Sequence, residues 1–174
     1  MDIGVFGGTF SPPHVGHLRA AEFFAASRCL DRVFIFPAGA SPLKETKAGI
    51  PDEDRLALCR LTFSGEIFEV SAWELERPGP SYTIETLRYV REMYPQAALF
   101  VLMGEDQRAQ FHLWKDWQKI LALAELVVVP RFGDISSTEI RAKLAARQDI
   151  AAFVAPEALR YIYGKGLYDA RRLP

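Results

Sequence analysis

Short apolar runs alternate with amphipathic stretches along most of the chain. Five runs rich in valine, isoleucine, leucine and phenylalanine predict β-strands: Ile3–Phe6, Val33–Phe36, Ile67–Val70, Leu99–Met103 and Leu126–Val129. Four stretches between them carry apolar residues at helical spacing and predict α-helices: Leu18–Arg28, Asp52–Phe63, Ile84–Tyr94 and Trp114–Leu123. This repeated strand-then-helix order predicts an α/β fold with a doubly wound parallel sheet.

The C-terminal part of the chain is helical rather than alternating. "ISSTEIRAKLAA" and "APEALRYIYGKGLY" predict two helices, the second beginning at Pro156 and ending near Gly164. We expect both to pack on a Rossmann-like sheet, so that residues 1–174 form a single domain with a helical subregion at about 136–174. The turn-rich, polar segment Ala38–Asp54 predicts a mobile loop.

Composition narrows the class of protein. A chain of 174 residues with 49% apolar and 25% charged residues is typical of one globular domain and excludes a disordered protein. A net charge of −1 argues against a nucleic-acid partner, so any bound anion must be held locally. The sequence contains no transmembrane stretch, which argues against a membrane partner, and Cys29 and Cys59 suggest reduced thiols. We therefore expect a cytoplasmic protein.

The stretch "VFGGTFSPPHVGH" combines unusual geometry with unusual chemistry directly after the first predicted strand. Gly7 and Gly8 allow backbone N–H groups to approach a phosphate closely, and a helix starting near Val15 adds a favourable dipole. His14 and His17 lie three residues apart at that helix start, so both imidazoles can face one ligand. The stretch matches neither the dinucleotide nor the P-loop glycine pattern. We expect a phosphate site, with Gly16 leaving room for the ligand.

The two histidines have two other interpretations. A zinc site is disfavoured, because His112 and the two cysteines lack the spacing of zinc ligands. Histidines that only cap a helix are the structural alternative, which suits a lone histidine better than a pair beside two glycines.

Two motifs at opposite ends of the chain resemble those of a known superfamily. "GTF-x-P-P-H-x-G-H" resembles the T/H-x-G-H signature of nucleotidyltransferases, which transfer a nucleoside monophosphate from a nucleoside triphosphate. "ISSTEIR", Ile135–Arg141, is similar to their C-terminal signature, which opens a helix under the triphosphate. Its hydroxyls and N–H groups at a helix start, with Arg141 one turn later, suit that role physically.

Further segments resemble one family within that superfamily, the bacterial nicotinate-nucleotide adenylyltransferases. These are "PLK", "RPGPSYTIETL", "MGEDQRAQFHLW" and the closing "VAPEALRYIYGKGLY", in order along nearly the whole chain. The resemblance implies the reaction of ATP with nicotinate mononucleotide to give nicotinate adenine dinucleotide and pyrophosphate. It implies Mg²⁺ carried mainly by ATP, because the sequence offers no carboxylate cage for a metal. A homo-oligomer is possible.

The resemblance also implies roles for individual residues. It implies contact with the nucleotide phosphates for Gly7, Gly8, Thr9 and Phe10, and catalytic charge stabilisation by His14, His17, Lys44 and Arg141. It implies Gly104 and Asp106 beside the adenosine and its ribose, and Ile135, Ser136, Ser137, Thr138 and Arg141 around the outer phosphates. For the mononucleotide it implies Lys44, Ser81, Tyr82, Thr83 and a stacking Trp114.

Each of these roles has a simpler structural counterpart. Trp114 could belong to the core, Asp106 could cap a helix, and Ser81–Thr83 could form an N-cap after a turn. At the level of function, the alternatives are a pantetheine-phosphate adenylyltransferase and a nucleotide-binding module without turnover.

Two departures from the family pattern stand out. Ser11 occupies a position that is usually acidic. The connection "VVVPRFGDISSTEIR" is shorter than is usual in the family, so either the sheet is one strand smaller or a loop is missing.

Overall fold

A computed structural model of the protein describes residues 1–39 and 49–168. The described residues form five strands: β1 (Asp2–Gly8), β2 (Arg32–Pro37), β3 (Phe68–Val70), β4 (Ala98–Gly104) and β5 (Glu125–Val129). They make one sheet in the order β3-β2-β1-β4-β5, with every neighbouring pair parallel. The predicted doubly wound parallel sheet is confirmed, with a strand at each of the five predicted apolar runs.

Helices follow or separate the strands as the periodicity predicts. Those in the described residues are α1 (Val15–Ser27), α2 (Asp52–Thr62), α3 (Thr83–Met93), α4 (Glu105–Arg108), α5 (Trp117–Leu123), α6 (Ser137–Ala145) and α7 (Pro156–Lys165). Within this part of the chain, no helix combines the length and the apolar character needed to cross a membrane.

The predicted helix Trp114–Leu123 begins later than expected. A short 3-10 turn, Phe111–Leu113, precedes it, and Trp114 follows that turn in extended backbone. Asp116 then adopts a left-handed conformation with φ 55°, which interrupts a helical path, so α5 starts at Trp117. Trp114 therefore lies on a connection and not on the helix.

The sheet separates two apolar cores because strand residues point alternately to its two faces. Phe6 packs with α1 and α2, whereas Ile3 and Val5 pack with α3 and α5. A third cluster joins Leu58 of α2 to Ile140 of α6 and Ile162 of α7. The C-terminal helices thus share a core with α2, as expected for an appendage packed on the sheet domain.

A buried acid fixes α7 against α2. Asp54 is 4% exposed, and its Oδ1 accepts hydrogen bonds from the Tyr161 hydroxyl and the Lys165 ammonium, both at 2.7 Å. Helix α7 ends at Lys165, and Gly166 follows with φ 59° as its left-handed C-cap. The helix therefore ends slightly later than the predicted stop at Gly164.

Candidate active site

The site lies where the order of the strands reverses. From β1 the chain moves outward to β2 and β3, and then returns to the other side of β1 for β4 and β5. Ligands in such sheets bind at the carboxyl ends of the strands beside this reversal. Gly7 at the end of β1 and Gly104 at the end of β4 both face open space where a side chain would stand. The predicted location is therefore an accessible crevice.

Phe10 turns the chain sharply after β1. Its φ of 47° is left-handed, and its ring is 2% exposed, packed edge-on against Phe6, His17 and Phe63 at centroid distances of 5.1, 5.1 and 5.5 Å. A left-handed phenylalanine is strained, so the aromatic cluster must hold it. The part of Phe10 that a phosphate can reach is consequently its backbone.

Arg55 holds the same loop by a hydrogen bond to its backbone, a role that the sequence analysis did not predict. Its side chain is fully buried in α2, and its Nη1 donates to the carbonyl oxygen of Thr9 at 2.8 Å. Its Nη2 donates to Asp52 Oδ1 at 2.6 Å. The sequence signal was present, because Leu58, Cys59 and Thr62 lie three, four and seven positions later on a buried helix face.

His14 and His17 stack on each other at the start of α1. Their ring centroids are 3.6 Å apart with planes inclined by 31°. The backbone N–H of His14 donates to Nδ1 of His17 at 3.2 Å. A neutral imidazole that accepts at Nδ1 carries its proton on Nε2. His17 therefore has an N–H donor at Nε2.

His14 is neutral at physiological pH. It is 7% exposed, and its Nδ1 has no hydrogen-bond partner within the described part of the chain. Burial lowers the pKa of His14 to about 4, and the positive charge of Arg131 adds to this effect. Any hydrogen bond that His14 donates to a phosphate of a newly bound nucleotide thus comes from an uncharged ring.

Gly16 serves packing rather than ligand access. A Cβ at this position would lie 2.4 Å from the carbonyl oxygen of Phe132 and 3.0 Å from His14 Nδ1. Only glycine allows the short connection after β5 to approach α1 this closely. The expectation that Gly16 leaves room for a ligand is wrong, because the backbone at Phe132 occupies that space.

Helix α6 docks directly onto the β1–α1 loop. The Ser137 hydroxyl donates to the carbonyl oxygen of Pro12 at 2.8 Å. Arg141 donates through Nη1 to the carbonyl oxygen of Ser11 at 2.6 Å and through Nη2 to Thr138 Oγ1 at 3.1 Å. The motifs at the two ends of the chain thus form one surface.

Ser136 and Ile135 directly precede helix α6, and their side chains make different contacts from those of Ser137 and Arg141. Ser136 is the N-cap, its Oγ accepting from the Glu139 N–H at 3.2 Å and donating to Glu139 Oε2 at 2.6 Å. Ile135 is 9% exposed and belongs to the C-terminal core cluster. For these two residues the backbone is the part available to a phosphate.

Ser11, the departure from the family pattern, is buried against the C-terminal region. It is 1% exposed, and its Oγ lies 3.0 Å from the hydroxyl of Tyr168. Burial raises the pKa of the Tyr168 hydroxyl, so this group stays protonated. The serine hydroxyl is therefore part of a neutral buried contact.

Gly104 and Asp106 occupy the opposite rim, at the end of β4. Gly104 is the N-cap of α4, so the alternative that Asp106 caps this helix is wrong. The Asp106 side chain is 79% exposed and lies 3.9 Å from Arg131. Its carboxylate is thus open to solvent, and its role as a ribose contact stays a prediction.

The predicted mononucleotide residues surround the start of α3. Tyr82 is the N-cap of this helix and Thr83 its first residue. Lys115 lies over the Tyr82 ring, 4.0 Å from its centroid, and the neighbouring Trp114 meets Phe111 edge-on at 5.5 Å. Tyr82 and Trp114 both pack against the apolar cluster on this face of the sheet. Lys44 lies outside the described residues.

The donor set of the crevice suits phosphate better than a protein-held metal. Its side chains supply imidazole, hydroxyl and guanidinium groups. In residues 1–39 and 49–168 no three His, Cys, Asp or Glu side chains cluster in a way that could hold a metal ion.

Comparison with known proteins identifies the family. The model of the cytidylyltransferase-like family matches residues 5–143. A relative from Roseiflexus sp. (strain RS-1), named "Probable nicotinate-nucleotide adenylyltransferase", is 38% identical over 194 residues, covering 95% of this chain and 97% of its own. The chain belongs to the nicotinate-nucleotide adenylyltransferase family. The aligned length exceeds the 174 residues of this chain, so the relative contains residues without a counterpart here.

Solved structures show the same fold. A structure from Vibrio parahaemolyticus, named "Putative Nicotinate-nucleotide Adenylyltransferase", superposes with a TM-score of 0.82 at 22% identity, covering 98% of this chain and 97% of its own. The Plasmodium falciparum nicotinic acid mononucleotide adenylyltransferase, solved in complex with NaAD, superposes with a TM-score of 0.74 at 16% identity, covering 96% and 97%. At these identities the likeness concerns the fold alone.

Proposed function

We propose that this protein transfers the adenylyl group of ATP to nicotinate mononucleotide, forming nicotinate adenine dinucleotide and pyrophosphate in NAD biosynthesis. The observation that carries the proposal is the docking of α6 on the β1–α1 loop through Ser137 and Arg141. In our proposal this contact sets the first turn of α6 and the paired histidines of α1 around one crevice at the strand reversal. Membership of the family supports the choice of substrates.

The chemistry requires alignment and charge stabilisation. The attacking phosphate oxygen of the mononucleotide is already ionised at neutral pH, so no general base is needed. In our proposal, Gly7, Gly8 and the backbone of Thr9 cradle the phosphates of ATP, and Ser137 and Thr138 present the first amides of α6. His14 and His17 donate hydrogen bonds to the oxygens of the phosphate group under attack, and Arg141 stabilises the departing pyrophosphate.

The acceptor binds beside α3. We assign the nicotinate carboxylate to the amides of Tyr82 and Thr83, because helix α3 has no side-chain cap to satisfy its first N–H groups. Trp114 stacks on the ring from the connection before α5, and Gly104 and Asp106 border the adenosine. The Plasmodium falciparum structure that shares this fold holds NaAD, a dinucleotide of the class that we propose as the product.

Magnesium would enter on the triphosphate of ATP and would supply charge neutralisation there. The residues of the crevice do not form a site of their own for it, and none of the steps assigned above depends on the metal.

Both cysteines are unpaired, Cys59 buried and Cys29 exposed, which supports a reducing, cytoplasmic location.

Pyrophosphate release from Mg²⁺-ATP tests the proposal, with nicotinate mononucleotide, nicotinamide mononucleotide and phosphopantetheine as separate acceptors. We expect turnover with nicotinate mononucleotide and much less with the amide, because buried N–H donors facing an amide NH₂ lose a hydrogen bond. Comparable kcat/KM for the two mononucleotides would contradict the acid preference. Turnover with phosphopantetheine alone would keep the phosphate site and overturn the acceptor assignment.

A further inference from the structure

A buried carboxylate lies next to the acceptor side of the site. Glu74 is 6% exposed. Burial raises the pKa of its carboxyl group, against the opposing effects of hydrogen bonds from Thr86 and Ser81 and of the charges on Arg77 and Arg55. Burying a carboxylate costs free energy unless its oxygens accept hydrogen bonds, so the buried position of Glu74 needs an explanation. The adenylyl transfer proposed above gives it no direct part.

A chain of hydrogen bonds connects Glu74 to two other segments. Thr86 Oγ1 donates to Glu74 Oε1 at 2.6 Å, and this bond is buried. The Ser81 hydroxyl also bonds to the carboxylate, while its Oγ accepts from the N–H of Gly39 at 3.0 Å. Because a hydroxyl has one proton, Ser81 accepts from Gly39 and donates to Glu74. The carboxylate thereby holds the first turn of α3 and, through Ser81, the residue shortly after β2.

Backbone packing and ring stacking fix the same junction. A Cβ at Gly39 would lie 2.8 Å from the carbonyl oxygen of Glu74, so glycine is required for this approach. Trp73 stacks on Tyr89 of α3, with ring centroids 4.4 Å apart and planes inclined by 14°. Trp73 and Glu74 thus contact the end of β2 and the body of α3 at the same time.

We propose that Glu74 is a positioning residue for the mononucleotide, which holds Ser81–Thr83 and the first amides of α3 at a fixed distance from the carboxyl end of β2. The inference rests on the proposed function, which places the nicotinate group at Tyr82 and Thr83. Strand β2 pairs with β1, which carries the phosphate loop at its end. Glu74 therefore sets the distance between acceptor and phosphate donors, to which an in-line attack is sensitive.

A residue that only supported the fold would act differently. Its loss would lower the stability and the fraction of active protein, and both effects are independent of which substrate is varied. A positioning residue acts on the KM of the mononucleotide and on the order of the α3 amides, while the KM of ATP stays nearly constant. The comparison of two KM values separates these roles.

The test uses Thr86→Val and Glu74→Gln, with Thr62→Val as the matched control. Thr62 and Thr86 are both 2% exposed, but the Thr62 hydroxyl has no hydrogen-bond partner among the described residues. We expect Thr86→Val to raise the KM for nicotinate mononucleotide about tenfold, because a buried oxygen of Glu74 loses its donor. Glu74→Gln should act in the same direction, and Thr62→Val should leave both KM values within about twofold of wild type.

Amide hydrogen exchange supplies a readout that needs no turnover. Thr86→Val and Glu74→Gln should accelerate exchange at Gly39 and at the first amides of α3, whereas Thr62→Val should not. Equal changes in both KM values, or a Thr86→Val protein that matches Thr62→Val in KM and in exchange, would overturn the inference. A wild-type protein without pyrophosphate release would instead overturn the proposed function, and the exchange result would still decide whether Glu74 orders α3.

Discussion

Main-chain carbonyl groups hold the phosphate side of the site together, whereas exposed side chains shape the acceptor side. The carbonyl oxygens of Thr9, Ser11 and Pro12 accept hydrogen bonds from Arg55, Arg141 and Ser137, which come from two different helices. Beside Tyr82, in contrast, Arg77 and Lys115 share the carboxylate of Glu85 at 3.1 and 3.0 Å, with both cations more than 40% exposed. Partly buried hydrogen bonds to the backbone fix the geometry of the loop, and solvent-exposed ion pairs adjust the local charge.

Substitution of either histidine on the phosphate side should cause the largest loss of activity. His17→Ala removes the Nε2–H donor from the rigid loop, and we expect kcat to fall about 10²–10³-fold, as for other preorganised donors in transfer reactions. His14→Ala should act similarly. Steady-state pyrophosphate release measures the effect, and circular dichroism confirms the fold.

His112→Ala is the matched control for this prediction. The chain contains three histidines, and His112 lies exposed on the 3-10 turn away from α1. We expect this variant to retain nearly full kcat. Near-normal turnover in His17→Ala would show that the paired imidazoles serve the structure of the helix start and not the transfer.

Acid should weaken the fold through His14. The pKa of His14 is 6.5 in an unfolded chain and about 4 in the folded protein. Between these values the unfolded state binds more protons, so stability is complete above pH 6.5 and is lost as the pH falls toward 4. From pH 7 to pH 5 this group alone should lower the free energy of unfolding by about 2 kcal/mol. Urea titrations at the two pH values measure the difference.

His14→Asn isolates the contribution of this ring, because asparagine is a favourable N-cap residue that does not titrate in this range. The variant should lose less stability than wild type between pH 7 and pH 5. An equal loss in both proteins would assign the acid sensitivity to other groups and contradict a buried, neutral His14.

The contrast between the two sides also explains what the sequence could predict. Apolar runs bounded by turns predicted the five strands, and the order of the elements placed the loop after β1 at the strand reversal, because these features follow from local periodicity. The end motifs were predicted to surround one ligand, and the contacts of Ser137 and Arg141 with the loop after β1 bring those motifs together. The roles of the individual residues stay predictions.

The periodicity of apolar residues cannot predict contacts between residues that lie far apart in the sequence. The helical spacing over Asp52–Phe63 did not reveal that Arg55 donates a hydrogen bond to Thr9, beneath which it is fully buried. Gly16 was assigned to a ligand because nothing in the sequence shows that Phe132 approaches it. Trp114 was placed in a helix because apolar spacing does not reveal the left-handed turn at Asp116. Each of these features depends on packing between elements and not on local order.

Removal of a charge from the acceptor side should have a smaller effect on activity than the loss of a histidine. The Lys115 hydrogen bond, followed by the influence of Arg77, keeps the pKa of Glu85 below its usual range, so one carboxylate faces two cations. The excess positive charge beside Tyr82 favours the nicotinate carboxylate over the neutral amide. Lys115→Gln should lower the ratio of kcat/KM for the acid to that for the amide by about threefold at low salt.

Lys119→Gln is the control for Lys115→Gln, since Lys119 lies on the same segment and is paired one-to-one with Asp116 at 3.0 Å. Its removal leaves the charge beside Tyr82 unchanged, so the acid-to-amide ratio should stay at the wild-type value. High salt should bring the Lys115→Gln and wild-type ratios together, because exposed charges are screened. A salt-independent ratio, or an equal loss in both variants, would mean that the α3 amides alone select the acid and that exposed cations add nothing to the choice.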